Sequence, residues 1–239
     1  RGLLSSRCDH SKSSTCVQIA LKSSLGTNRA SRRTAVILVH RICERIQSTR
    51  ETTTASNDEA RKQIAQESFR KGTEAMSKEN WDYCINMFGQ AVLMAPDNLF
   101  YRQALRGVEC KKYNNNKTGA KMAGMKLIGV RGKVKKARIK KNWDELDRAA
   151  EEGLKINPWD AQLNADLAYA CEKREFGEVT IEAYKKAVEC DPNNPKVMRN
   201  LADLLAERGE YDDAVILYQR IFKLNPDDKD ARQKIGDLT

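Results

Sequence analysis

Histidine is nearly missing from this chain: there are two in 239 residues, His10 and His40, both near the beginning. Everything after them lacks the side chain most used for proton transfer and metal ligation near neutral pH. Cysteine is present seven times but never as a CxxC pair, so neither a disulfide framework nor a zinc knuckle is indicated. Cys8, His10 and Cys16 match no standard zinc spacing and lack a fourth ligand, so no metal site is expected. Long apolar runs are absent too. Stretches such as Ala35–Val39 fall far short of the roughly 18–20 residues that cross a bilayer, and no membrane association is expected. The glycine-rich segment Gly124–Gly132 lacks the GK[ST] of a phosphate-cradling loop. No catalytic constellation and no cofactor site emerge, and the cysteine usage suits a reducing, cytoplasmic setting.

Acidic residues are missing from one place in particular. Residues 110–142 carry twelve Lys and Arg and no Asp or Glu. Residues 143–239 reverse the balance, with fourteen basic against twenty-two acidic side chains. The net charge of +10 therefore comes from segments, residues 1–50 being the other basic one.

What the chain does have is a period. Pro158, Pro192 and Pro226 are evenly spaced. Leu201, Ala202, Leu205, Ala214, Tyr218 and Ile221 precede the last of them at the offsets where Leu167, Ala168, Cys171, Thr180, Tyr184 and Ala187 precede the one before. The interval is the 34-residue period that, with small and large apolar residues at these offsets, describes a unit of two antiparallel helices. Taking Pro96 as an earlier closing proline places Gly72, Ala75, Cys84, Phe88 and Ala91 on the same grid. Trp81, Cys84, Ile85, Phe88 and Val92 then share one apolar helix face. Cys84 and Cys171 occupy packing positions, where a small buried thiol is inert.

On these residues the chain resembles the tetratricopeptide repeat (TPR) family. Gly107-Val108-Glu109, Ala123-Gly124-Met125-Lys126-Leu127 and Asn157–Asp166 together resemble a bacterial subfamily of undefined role. The resemblance implies an all-α fold, a right-handed TPR superhelix of about four helix pairs. Repeats are expected at about 65–98, 99–160, 161–194 and 195–228, with a capping helix over 229–239. Residues 1–56 stand outside the grid and are expected to be a disordered, basic, Ser/Thr/Arg-rich extension, with a helical pattern only over Ala35–Ile46. Their composition also fits an organelle transit peptide, or a non-native stretch from a misread start.

The second repeat is irregular. The interval from Pro96 to Pro158 is too long for one period and too short for two. A first helix over Leu99–Glu109 is expected to pair with Trp143–Ile156, the basic insert 110–142 lying between them. Within the insert, Tyr113–Asn116 and Gly119 predict a loop and Lys133–Lys141 a short helix with Val134 and Ala137 on one side. A degenerate extra repeat is the alternative.

Function follows from the resemblance: a non-catalytic scaffold that binds a peptide or partner helix in its concave groove. Groove positions on the grid are Phe69, Thr73, Gln103, Gln162, Ala165, Tyr169, Lys196, Arg199 and Asp203. The Lys/Asn pair with which some TPR proteins clamp chaperone C-termini is absent, since those positions hold Phe69 and Thr73, Ala165 and Tyr169, or Arg199 and Asp203. The second candidate is the basic patch of Lys133, Lys135, Lys136, Arg138, Lys140 and Lys141. It has three readings: a solvated loop or docking on the acidic half of its own chain, an acidic protein partner, or nucleic-acid or ribosome contact with Tyr113 and Trp143 stacking on bases. The bound partner and the oligomeric state are not legible.

Overall fold

Asparagine and aspartate set the rhythm of the structure. In this computed structural model, residues 56–239 are described, and Arg61–Thr239 form one compact unit. The disordered or transit-peptide readings of residues 1–56, the Ala35–Ile46 pattern and the Cys8/His10/Cys16 set fall on residues 1–55, outside the described residues. Asn98, Asp160, Asn194 and Asp228 each stand two positions after a proline, and each accepts a hydrogen bond from the backbone N–H three positions on. Each satisfies an otherwise orphaned helix-end donor, a contribution of about 1 kcal/mol.

The described residues hold ten helices and no strand. They are α1 (residues 56–76), α2 (Trp81–Met94), α3 (Leu99–Lys112), α4 (Ala123–Ile139), α5 (Trp143–Leu154), α6 (Ala161–Lys173), α7 (Gly177–Cys190), α8 (Pro195–Glu207), α9 (Tyr211–Leu224) and α10 (Lys229–Leu238). Four tight turns each place a residue in the left-handed region: Glu79, Lys141, Glu175 and Gly209. The last three recur at the interval of the prolines, so α4–α5, α6–α7 and α8–α9 are successive copies of one helix pair.

That corrects the expected second repeat. Helix α5 packs against α4 and α6 rather than pairing with α3. Tyr113–Asn116 and Gly119 do lie in a linker, but the helix that follows is the 17-residue Ala123–Ile139 rather than a short one over Lys133–Lys141, and it completes a repeat, as the alternative of an extra repeat had it. Leu127, Val130, Val134 and Ala137 recur along it at helical spacing, and all four are buried. Gly153 of α5 packs so closely on α6 that an added Cβ would lie 2.6 Å from Leu163 Cδ1.

Helix α3 is the supernumerary element. Its Leu105 and Val108 join Ala75, Cys84, Ile85, Phe88 and Val92 in one apolar cluster, while α4 to α10 share a second, larger one. Between the two lies a layer of charge. Buried Arg102 donates to Asp147 Oδ1 and Oδ2 at 3.0 and 2.8 Å, to Glu151 Oε1 at 2.8 Å and to the Pro96 carbonyl at 2.7 Å. Arg106 reaches Glu151 Oε2 at 2.9 Å and also pairs with Glu109, and Arg174 pairs with Asp144 and Asp147. Glu109 is fully buried, and its Oε1 faces no donor among the described residues.

The linker from α3 to α4 is pinned to the end of α5. Tyr113 Oη donates to the Lys155 carbonyl at 2.8 Å and Ala120 N to the Ile156 carbonyl at 2.8 Å. Gly119 has φ +74°, and a Cβ there would sit 2.6 Å from the Ile156 carbonyl oxygen, so only glycine fits.

Candidate functional site

The first helices of three successive pairs, α4, α6 and α8, carry the side chains that come together. Tyr169 is the centre. It is half-buried on α6, with the Trp143 ring edge-on at 5.6 Å. The Arg138 guanidinium lies 4.5 Å from the Tyr169 ring centroid and Lys173 Nζ 5.1 Å. An aromatic ring flanked by two cations gives the surface an apolar floor with a positive rim.

Beneath that rim is Asp166, one turn earlier on α6 and 4% exposed. Gln162 Nε2 donates to its Oδ2 at 3.2 Å. Arg138 Nη1 stands 3.2 Å from Oδ1 but without hydrogen-bond alignment, so Oδ1 keeps a free acceptor position. Burial raises the Asp166 carboxyl above its ordinary value, while the Gln162 bond and the charges of Arg138 and Lys196 pull the other way. Sequence reading passed over Asp166. Its signal was a carboxylate one turn from both Leu163 and Tyr169, at a position the apolar spacing marks as inward.

The other groove candidates divide. Gln162 and Tyr169 lie together, and exposed Lys196 on α8 is near enough to act on Asp166. Ala165 is a packing residue. Arg199 is occupied in pairs with Asp228 and Asp230, and Asp203 accepts from Tyr218 Oη at 2.5 Å. These two clip α10 and α9 onto α8. Phe69 stacks on Phe88 at 4.9 Å, with Phe100 and Tyr101 each at 5.1 Å, and so belongs to the first apolar cluster. Exposed Thr73 donates its hydroxyl to the Phe69 carbonyl at 3.0 Å. Gln103 was expected alongside Gln162, yet it lies on α3, at a small recess shared with Leu167, Glu182 and Lys186. The displacement follows from α3 being an extra helix rather than the first helix of a pair.

The basic patch also divides. Lys133 pairs with Glu152 at 2.8 Å, and Arg138 serves Asp166 and Tyr169. Arg131 joins them, pairing with Asp160 at 2.9 Å. Lys135, Lys136, Lys140 and Lys141 are exposed and form no ion pair with any described residue. The two aromatics considered for base stacking are engaged, Tyr113 on the Lys155 carbonyl and Trp143 against Tyr169. Buried Cys84 and Cys171 are packing residues, and burial pushes the Cys171 thiol up to about 12.

A wider cleft of about 510 Å³ opens between α2 and α5, lined among others by Val92, Leu93, Asp144, Arg148, Glu152 and Lys155. Its charges are of both signs, and none of the residues marked in the sequence as groove or basic-patch positions lines it.

Residues 183–216 match the tetratricopeptide repeat model, a window that runs from α7 into α9. The described residues are thus an all-α array of repeated helix pairs in which residues 183–216 match a tetratricopeptide repeat. Solved structures similar to it include the second TPR domain of human RPAP3 in complex with an HSP70 peptide. That likeness has 16% identity, covers 48% of this chain and 97% of that one, and has a TM-score of 0.44. The TPR2B domain of yeast Sti1 in complex with pHsp70 is 24% identical over 48% of this chain and 93% of that one, TM-score 0.41. MamA is 14% identical over 73% of this chain and 80% of that one, TM-score 0.40. No curated protein matches the chain.

Proposed function

We propose that this chain is a non-catalytic binding scaffold that holds a peptide or partner helix against the first-helix surface of α4, α6 and α8. One observation carries the reading: a half-exposed Tyr169 set between Arg138 and Lys173, over a buried Asp166 with an unused acceptor. A ring anchored by packing loses little entropy when it is covered, and aromatic and arginine side chains in such settings are the usual anchors of an interface. The ligand best suited to it lays an apolar side chain on Tyr169 and places a donor within reach of Asp166. Arg138 and Lys173 are engaged with Asp166 and Glu172, which gives no support to chemistry on a substrate.

The test is affinity capture of cell proteins by the intact chain, compared with Tyr169→Ala and with Ile216→Ser on exposed α9 surface. The proposal expects specific proteins to be lost with Tyr169→Ala and retained with Ile216→Ser, and retained after nuclease treatment. An unchanged set with Tyr169→Ala sinks it. Loss of all capture on nuclease treatment would move the function to nucleic acid.

A further inference from the structure

Helix α4 has two apolar faces. At 100° per residue, Leu127, Val130, Val134 and Ala137 lie on the buried side, and Met125, Ile128, Gly132 and Ile139 fall opposite them. Met125, Ile128 and Ile139 are 65%, 69% and 72% exposed, among the most exposed large apolar side chains of the described residues. Covering such side chains is favourable, and these three line one side of about 21 Å of helix, Met125 and Ile128 about one turn apart and Ile139 about three turns further on.

The cations around the helix sort by side. Of those flanking the buried face, Arg131, Lys133 and Arg138 are paired with Asp160, Glu152 and Asp166, while exposed Lys126 near the start of the helix forms no ion pair with any described residue. Those flanking the exposed stripe, Lys135, Lys136 and Lys140, have no partner among the described residues. The acidic half of the chain has therefore paired three of the four cations beside the buried face and none of those beside the exposed stripe.

From this we infer that the outer face of α4 is the docking surface for an acidic amphipathic α-helix of a partner protein. Its apolar stripe would lie along Met125, Ile128 and Ile139, and its flanking carboxylates would meet Lys135, Lys136 and Lys140. Gly129 and Gly132 favour a helix over other anions. Nothing lies within 4 Å of a Cβ built at either, so the backbone there is open to close approach. Each glycine weakens the helix that carries it, and neither is needed by a turn. A phosphate chain would leave the apolar stripe uncovered, and the nearby aromatics that would stack on bases are engaged elsewhere. A membrane gains nothing from the two glycines, and no aromatic side chain stands on this face to enter it. Ile128, Lys135 and Ile139 stand one period before Gln162, Tyr169 and Lys173, so this face continues the Tyr169 surface along α4, and Tyr169→Ala separates the two readings.

The experiment is a selection on the full chain from a display library of helices of about 20 residues, long enough to stay helical when bound. The apolar stripe is fixed and the flanking positions vary among Glu, Gln and Lys. The expected result is enrichment of Glu at the flanks. Peptides made from the winners should bind Ile128→Asp/Ile139→Asp and Lys135→Glu/Lys136→Glu at least about tenfold more weakly, and Tyr169→Ala equally well. All substituted positions on α4 are exposed, and circular dichroism confirms helix content in each variant. No enrichment, enrichment of Lys or Gln, or unchanged binding to Ile128→Asp/Ile139→Asp overturns the inference. So does tighter, stripe-dependent binding of a single-stranded oligonucleotide or of phosphatidylserine vesicles.

Discussion

Glu109 is a carboxylate placed where its charge is poorly tolerated, and replacing it tests the charge layer between the two apolar clusters. Burial pushes its carboxyl up to about 7 from an ordinary 4.5. Arg106 and Lys155 oppose that shift, and the Glu151 charge adds to it. The folded state therefore holds a proton that the unfolded chain has released across this interval. Bound protons are more numerous in the folded state, so stability falls as pH rises, beginning near 4.5 and ending above about 7. At about 1.4 kcal/mol per pKa unit, the contribution lost is on the order of 3 kcal/mol. Glu109→Gln keeps the shape and a donor without titrating. Urea unfolding of both proteins followed by circular dichroism from pH 5 to pH 8 should show the variant gaining on the parent as pH rises. His10, His40 and Asp166 are common to both chains, so any titration of theirs drops out of the difference. Glu151 is held below its ordinary value by Arg106 and Arg102 against the cost of burial, so its effect belongs to lower pH. A difference that stays flat from pH 5 to pH 8 would refute the assignment of this carboxylate as the strained member of the layer.

Three further outcomes follow from the same packing. Arg102→Ala strands Asp147 and Glu151 in a buried layer and should cost about 3–5 kcal/mol in a urea titration, far more than removal of an exposed ion pair. Two glycine substitutions should differ in sign. Gly129→Ala, on open α4 surface, should stabilise by about 0.5–1 kcal/mol, while Gly72→Ala, whose Cβ would run into the Phe88 ring, should destabilise by about 1–3 kcal/mol. Iodoacetamide labelling of the native chain at pH 8, mapped by peptide mass spectrometry, should spare Cys84 and Cys171 and modify half-exposed Cys110 and Cys190.

Most of the regular fold was legible in the residues because it is written in two redundant codes. The even spacing of Pro158, Pro192 and Pro226 marks where each pair closes, and the Asx residue two positions later marks where the next helix opens. Helix α4 escaped the reading for a physical reason. Three glycines, basic residues all round and apolar side chains on both faces leave no single hydrophobic direction to detect. The inward set Leu127, Val130, Val134 and Ala137 was present at helical spacing, but only its last two members were read. Lys141 was another signal overlooked, since it stands one period before Glu175 and two before Gly209, at the same left-handed turn. The site was less legible than the fold. Tyr169, Gln162 and Lys196 are positions that the repeat grid marks and Arg138 was read only as part of the basic patch, whereas the engagement of Arg199, Asp203 and Phe69 depends on long-range partners that no local pattern reveals.

The surplus of chain between Pro96 and Pro158, beyond a single repeat, explains why the charge layer exists. A repeat array stays continuous when each helix pair covers the apolar edge of the next. Helix α3 interrupts that succession, because it spends Leu105 and Val108 on the first cluster and has little apolar surface left to offer the second. What it presents instead is Arg102 and Arg106, and α5 answers with Asp147 and Glu151. Ion pairs of this kind add little net stability over apolar contact of the same size, but they are demanding in geometry. A shift of one position along α3 would rotate both arginines about 100° away from their carboxylates. Apolar packing alone would tolerate such a slip better than the ionic layer does. The layer therefore fixes the register of α3 against α5. The chain from Tyr113 to Ala120 then needs to reach only the end of α5, where Gly119 lets it lie flat on Ile156, before α4 begins. The basic helix is thus set at the start of the regular stack, with one face in the core and its apolar, cationic face exposed.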